Sequence, residues 1–228
     1  MTERAGEGRA VKTALYEQFA RVGHALASPR RIELIDLLEQ SEKTVEVLSR
    51  HAQLPLKNTS AHLRVLRAAR LVETRRDGKH VVYRLADPQV SALARSVVGL
   101  ARSRLAEVEQ ISNAFIRRRD ELSPVDLAAL RRMVRRAEVV LLDVRPADEF
   151  AAGHLRGARN VPLAELPKAL RGLPRDRQIV AYCRGPYCVL APEAVALLRR
   201  RGFAARRLEV GYPEARGAGL PVTAGAAT

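Results

Sequence analysis

Cys183 and Cys188 are the only cysteines in this 228-residue chain, and both fall in the run Ile179-Val180-Ala181-Tyr182-Cys183-Arg184-Gly185-Pro186-Tyr187-Cys188-Val189. An apolar β-type stretch ends abruptly on a thiol and turns into a helix-like segment. A thiol at such a junction faces the first backbone N–H groups and the positive end of the helix, with Arg184 beside it. Each of these favours thiolate over thiol. The expected chemistry at Cys183 is therefore nucleophilic attack by sulfur. The competing reading is a buried structural cysteine, since free Cys is among the most often buried residue types. Cys188 is open between a second redox thiol and packing. Two cysteines make no disulfide framework, and a pair this close in sequence is more often catalytic or redox-active. That usage fits a reducing cytoplasm.

The elements that must position these thiols alternate in type. Short apolar runs at Val139 to Val144, Asn160 to Leu163, Gln178 to Tyr182 and Ala205 to Val210 interleave with helical stretches at Leu127 to Arg135, Leu163 to Arg171 and Val189 to Arg201. This predicts an α/β domain with a mostly parallel sheet. Ser123-Pro124 stops one helix and offers a cap for the next, so two domains are expected, 1–121 and 122–228.

The first domain reads as mainly α, closed by a hairpin. Apolar residues recur at helical spacing from Leu15 to Leu26, and Ser28-Pro29 supplies an N-cap and first-turn proline for Arg30 to Leu38. A short helix from about Thr44 to His51 follows. Asn58 or Thr59 can cap another, Ser60 to Ala69, whose outer face is polar and basic. Two β-prone runs, Leu71 to Arg76 and Lys79 to Leu85, meet at Asp77-Gly78, a strong hairpin signal. From Asp87-Pro88 to about Arg119, Val90, Leu93, Val97, Leu100, Leu105, Val108 and Ile111 recur at helical intervals. A helix so long and apolar is explained most simply by pairing with a second copy, a homodimer.

The net charge of +15 and pI near 11.0 favour an anionic partner, nucleic acid first. The charge does not say which half binds it. Residues 1–121 hold 22 Lys+Arg against 15 Asp+Glu (+7), and residues 122–228 hold 18 against 10 (+8). The charged segment Met1 to Arg9 has no apolar stretch behind it, so no signal peptide is expected, and no apolar run is long enough to cross a bilayer.

Helix, turn, basic helix and β-hairpin form the order of a winged helix-turn-helix. With Ala27-Ser28-Pro29-Arg30-Arg31, Asn58-Thr59-Ser60-Ala61-His62-Leu63-Arg64-Val65-Leu66 and the Asp77-Gly78 wing, residues 15–85 resemble the ArsR (arsenic-repressor-like) family of bacterial dimeric repressors. The resemblance implies a recognition helix presenting Lys57, Asn58, Thr59, Ser60, His62, Arg64 and Arg67 to double-stranded operator DNA. Arg75, Arg76, Lys79 and His80 of the wing would touch phosphates or the minor groove. Asn, Ser and Thr can read base edges, whereas arginine serves bases or backbone. Many relatives bind metals through thiolates on the third helix or His and acidic clusters on the last. Here Val45-Glu46-Val47-Leu48 carries no Cys, and His51, His62 and His80 are scattered. Soft metals need thiolates, so no metal site is expected in residues 1–121.

Leu141-Leu142-Asp143-Val144-Arg145-Pro146, Glu149-Phe150, Gly153-His154-Leu155, Gly157-Ala158, Asn160-Val161-Pro162 and the cysteine loop, in that order, resemble a single-domain rhodanese, a sulfurtransferase. The resemblance implies that Cys183 attacks the outer sulfur of thiosulfate, a persulfide or a polysulfide and carries it as Cys–S–S⁻. Loop N–H groups would hold the anion. Asp143 and Arg145 would lie near the same sheet edge, Asp143 tying down the loop, and no cofactor is called for. Three positions depart from the family. Cys188 stands where an Arg is common, which removes a charge from the cradle and adds a thiol that could resolve a bond at Cys183. Gly211-Tyr212-Pro213-Glu214 lacks the aromatic that commonly follows, and Arg156 replaces a proline. A thiolate phosphatase would need Arg six positions after the nucleophile, where Val189 stands.

Together these features predict a transcription regulator, a repressor, whose rhodanese-like domain takes up sulfane sulfur on Cys183 and so alters DNA binding. The alternatives are a sulfurtransferase tethered to a DNA-binding domain, or an inert interaction module.

Overall fold

The computed structural model describes residues 2–117 and 124–225, which divide into two compact units, 1–99 and 100–228. In the first, α1 (Thr2–Leu26), α2 (Pro29–Gln40), β1 (Lys43–Thr44), α3 (Val45–His51) and α4 (Leu56–Ala68) precede a hairpin of β2 (Val72–Asp77) and β3 (His80–Leu85). Leu34, Ile35, Leu37 and Leu38 of α2, Leu48 of α3, and Leu63 and Leu66 of α4 meet in a core that leaves less than 5% of each exposed. The strand order β1-β3-β2 is antiparallel throughout. Asp77 pairs with His80 across a two-residue turn whose first residue, Gly78, has φ 58°, a conformation glycine adopts without a Cβ clash.

Local boundaries show which signals dominate. Thr44 caps α3, accepting from the Val47 N–H at 3.4 Å. Ser28 stands at the N-cap of α2, but its hydroxyl makes no capping bond. Neither Asn58 nor Thr59 starts α4: Pro55 is its N-cap, and the helix begins a turn earlier than expected because proline fixes φ while its carbonyl accepts from the Asn58 and Thr59 N–H groups. The long helix after Asp87 is interrupted. It runs as α5 (Pro88–Arg104), breaks at Leu105 with extended φ −111° and ψ 106°, and resumes as α6 (Ala106–Ser112) and a π-turn over Asn113–Arg117. The expected end near Arg119 lies outside the described residues.

In the second unit, α7 (Leu127–Arg135), β4 (Val139–Asp143), α8 (Ala147–Ala152), β5 (His154–Leu155), β6 (Arg159–Asn160), α9 (Leu166–Ala169), β7 (Gln178–Tyr182), α10 (Leu190–Arg200), β8 (Ala205–Arg207), α11 (Tyr212–Gly217) and β9 (Val222–Thr223) follow in order. Asp126 caps α7, its carboxylate accepting from Ala129 N–H at 2.6 Å. Ser123, which the sequence offered as the cap, lies outside the described residues. Four strands form a parallel sheet in the order β6-β4-β7-β8, while β5 and β9 make a small antiparallel pair. The sheet is covered on both faces, as a parallel sheet must be. Val140, Leu142, Ile179, Ala181 and Cys183 face a cluster with Val195 and Leu198 of α10, and Leu141, Val180 and Tyr182 face Leu130, Leu208 and Tyr212. Cys183 thus continues the inward alternation of β7. Among the described residues no helix is long and apolar enough to cross a membrane.

Candidate functional site

Residues 183–189 join the end of β7 to the start of α10, so the sheet delivers Cys183 to the head of a helix. The loop is held from beneath. The Tyr212 N–H donates to the Cys183 carbonyl at 2.9 Å, and a Cβ on Gly211 would overlap the backbone of Arg184 and Gly185, so only glycine lets the segments approach so closely. Within the loop the Cys188 N–H donates to the Gly185 carbonyl at 3.1 Å, which folds Cys188 back toward Cys183. The Cys183 thiol lies 3.8 Å from the Gly185 carbonyl and 3.7 Å from that of Cys188.

The two sulfurs differ in surroundings. Cys183 is only 3% exposed, while Cys188 is half-buried. Burial pushes the Cys183 thiol well up, and its hydrogen bond with Cys188 adds to this, against the pull of N–H groups from Ala191 and Gly185. Cys188 moves down, first because the Cys183 S–H donates to its thiolate, then through the Leu190 and Arg184 N–H groups and the Arg184 charge, with burial opposing. The two thiols are thus shifted in opposite directions, Cys183 up and Cys188 down, which differs from the expectation of an acidic Cys183. The physical reason is that burial dominates at Cys183, whereas at Cys188 the opposing burial is outweighed by its hydrogen bond with Cys183, the Leu190 and Arg184 N–H groups and the Arg184 charge.

Arg184 is beside the thiols in sequence, yet its guanidinium grips Glu149, with Nε 3.0 Å from Oε2 and Nη2 2.8 Å from Oε1. Glu149 is fully buried, so this ion pair anchors the loop to α8. Asp143 and Arg145 form a second, wholly buried pair beneath it. Arg145 Nη2 donates to Asp143 Oδ2 at 2.6 Å and to the Gly153 carbonyl at 2.7 Å, and its guanidinium carbon lies 4.3 Å from the Tyr212 ring centroid. Both residues hold the loop's floor rather than reach a reactant. Removing one partner of such a pair would cost about 3–5 kcal/mol. Sequence reasoning missed Glu149, Gly211 and Tyr212 as loop supports, although the Glu149-Phe150 and Gly211-Tyr212 motifs were legible.

On α4, Lys57, Asn58, Arg64 and Arg67 are exposed, Ser60 and His62 are half-buried, and Leu63 and Leu66 point into the core. Thr59 departs from expectation. It is fully buried, its hydroxyl donating to the Pro55 carbonyl at 3.2 Å, so it secures the helix start and cannot reach a base. On the wing, Arg75 is held by Glu42 and Asp77, while Arg76, Lys79 and His80 stand exposed at the tip. Among the described residues no group of three or more His, Cys, Asp or Glu is placed to hold a metal ion.

A winged helix with a basic exposed face is followed by a parallel α/β domain with a thiol loop at a helix head. Family profiles match accordingly: "Bacterial regulatory protein, arsR family" over residues 28–74 and "Rhodanese-like domain" over residues 126–217. The HTH-type transcriptional regulator Rv0324 of Mycobacterium tuberculosis is 45% identical over 218 residues, spanning 94% of each chain. The chain belongs to the ArsR family of HTH-type transcriptional regulators, in the form that carries a C-terminal rhodanese-like domain. Among solved structures it is similar to the homodimeric winged helix-turn-helix DNA-binding domain, fragment 1–100, of a Mycobacterium bovis protein. That match is 41% identical, covers 41% of this chain and 87% of that one, and has a TM-score of 0.39. A rhodanese-related protein from Thermoplasma volcanium is 24% identical over 45% of this chain and 98% of that one, with a TM-score of 0.41.

Proposed function

We propose that this regulator is a cytoplasmic homodimeric repressor whose rhodanese-like domain takes up sulfane sulfur on Cys183 and thereby changes operator binding. The observation that carries the reading is the position of the chain's only two cysteines, in contact in one loop at the head of α10, on a chain whose other unit is a DNA-binding fold. The sulfur donor, a persulfide, polysulfide or thiosulfate, would lose its outer sulfur to the Cys183 thiolate. That thiolate arises when its proton passes to Cys188 across the hydrogen bond they share. Loop N–H groups from Gly185 and Ala191 would then hold the persulfide anion.

Dimerisation is supported by apolar stripes that the fold leaves in water, Leu15, Tyr16 and Phe19 on α1 and Leu93, Val97 and Leu100 on α5. Exposed Lys57, Asn58 and Arg64 on α4, with Arg76 and Lys79 on the wing, would meet the operator. The deciding experiment measures binding of reduced full-length protein to its own promoter DNA before and after a persulfide donor, with peptide mass spectrometry of the loop. Affinity that changes in step with sulfur on Cys183, and does not change in Cys183→Ser, supports the reading. Modification that leaves affinity unchanged refutes it.

The rhodanese-like match over residues 126–217 favours a second reading, a sulfurtransferase attached to a DNA-binding domain. Steady thiocyanate formation from cyanide, abolished by Cys183→Ser, would be its signature.

A further inference from the structure

The uptake of sulfur by Cys183 uses Cys188 only as a proton acceptor, yet Cys188 is built into the same cradle. The turn closed by Cys188 N–H and the Gly185 carbonyl brings its backbone to 3.7 Å from the Cys183 sulfur, and the two thiols are close enough to shift each other's ionisation. Its own sulfur is met by N–H groups of Leu190 and Arg184, so a negative charge there is held by the loop. Cys188 also lies nearer the surface than Cys183. The two cations nearest the loop are engaged in buried ion pairs, Arg184 with Glu149 and Arg145 with Asp143.

From this geometry we infer that Cys188 resolves the persulfide formed on Cys183, releasing sulfide and leaving a Cys183–Cys188 disulfide. The inference rests on sulfur uptake at Cys183 and adds the fate of the sulfur once it is bound. In the first step, Cys183–S⁻ attacks the outer sulfur of a persulfide donor, R–S–SH. The donor's S–S bond breaks, leaving R–SH and Cys183–S–S⁻. In the second, the Cys188 proton passes to the outer persulfide sulfur and the Cys188 thiolate attacks the inner one, the sulfur of Cys183. The bond to the outer sulfur breaks and its electron pair leaves with HS⁻. Written whole, Cys183–S–S⁻ plus HS–Cys188 gives Cys183–S–S–Cys188 plus HS⁻. The sulfane sulfur is reduced to sulfide, the two cysteines are oxidised, and the donor itself is the only oxidant needed.

This makes the loop a two-electron switch set by reactive sulfur, in which the carried sulfur is expelled rather than handed to an acceptor. Full-length reduced protein, held anaerobically with one equivalent of glutathione persulfide, tests it by intact mass, loop-peptide mass and sulfide release. The wild type should become about 2 Da lighter, joined at Cys183–Cys188, with about one sulfide released per chain. Cys188→Ser and Cys188→Ala should instead stop about 32 Da heavier, with the extra sulfur on Cys183 and far less sulfide released. A wild-type persulfide that persists unbridged, or an extra sulfur found on Cys188, overturns the inference while leaving uptake intact. A glutathionyl adduct on Cys183 in the Cys188 variants also overturns it, because the bridge would then have formed without a persulfide. Variants that take up no sulfur on Cys183, while circular dichroism shows them folded, overturn the uptake reading itself.

Discussion

The location of one proton governs the loop. A hydrogen bond with Cys183 draws the Cys188 thiol below its ordinary value, while burial holds the Cys183 thiol above it. A lowered pKa means more thiolate at a given pH, so the midpoint of iodoacetamide alkylation at Cys188 should lie at a lower pH than for an ordinary thiol. In Cys183→Ala, where the donor is gone, the Cys188 profile should move upward. Peptide mass spectrometry across pH 5–10 reads both. A Cys188 profile that does not move would show that the sulfur–sulfur hydrogen bond is not the cause. None of this was visible in the sequence. The run from Ile179 to Val189 revealed a strand, a thiol and a helix head, but proton placement depends on burial of Cys183 in the α10 core and on Arg184 being drawn to Glu149, 35 residues earlier.

Among the elements, those with an unbroken local pattern were legible. β7 and α7 occupy the residues that their apolar runs predicted, and the Asp77-Gly78 turn is where the hairpin signal put it. α4 was misjudged because Thr59 looks like a cap, yet Pro55 stops the preceding backbone first and leaves Thr59 inside the first turn. The break at Leu105 carries no proline or glycine to announce it. These details sort the DNA-facing side chains. Arg76→Ala and Lys79→Ala should each weaken binding across all sequences and lower the salt-dependence slope by about 1, whereas Arg75→Ala, already held by Glu42 and Asp77, should do less. If Asn58 reads a base, Asn58→Ala should relax specificity at one operator position by about 1–3 kcal/mol, while Thr59→Val should leave sequence preference unchanged. Titrations at several salt concentrations against operator and mismatched DNA separate these effects.

For the molecule as a whole, the exposed apolar stripes of α1 and α5 are where the proposed homodimer would form. Phe19 is 64% exposed and Val97 38%, and among the described residues no element covers either fully. Phe19→Glu together with Val97→Glu should shift the protein to a monomer by light scattering and reduce operator affinity at least tenfold, since one recognition helix then binds without its twin. A dimer that survives both charges would place the interface elsewhere. The sequence disclosed this much because an apolar pattern on a helix too long for its own domain must be covered by something. It gave no account of the break that ends α5 at Arg104.

Gly211 leaves a mark on inheritance. The Arg184 backbone rests where any side chain at 211 would stand, and the Tyr212 amide ties down the Cys183 carbonyl from the adjacent residue. A genetic selection for regulators deaf to sulfur should therefore return two kinds of lesion: changes at the cysteines, and changes at a glycine 28 residues beyond Cys183 that alter no reactive atom. Gly211→Ala belongs to the second kind. Its carriers should still occupy the operator and should fail to release it, a phenotype that a map of reactive residues alone would leave unexplained.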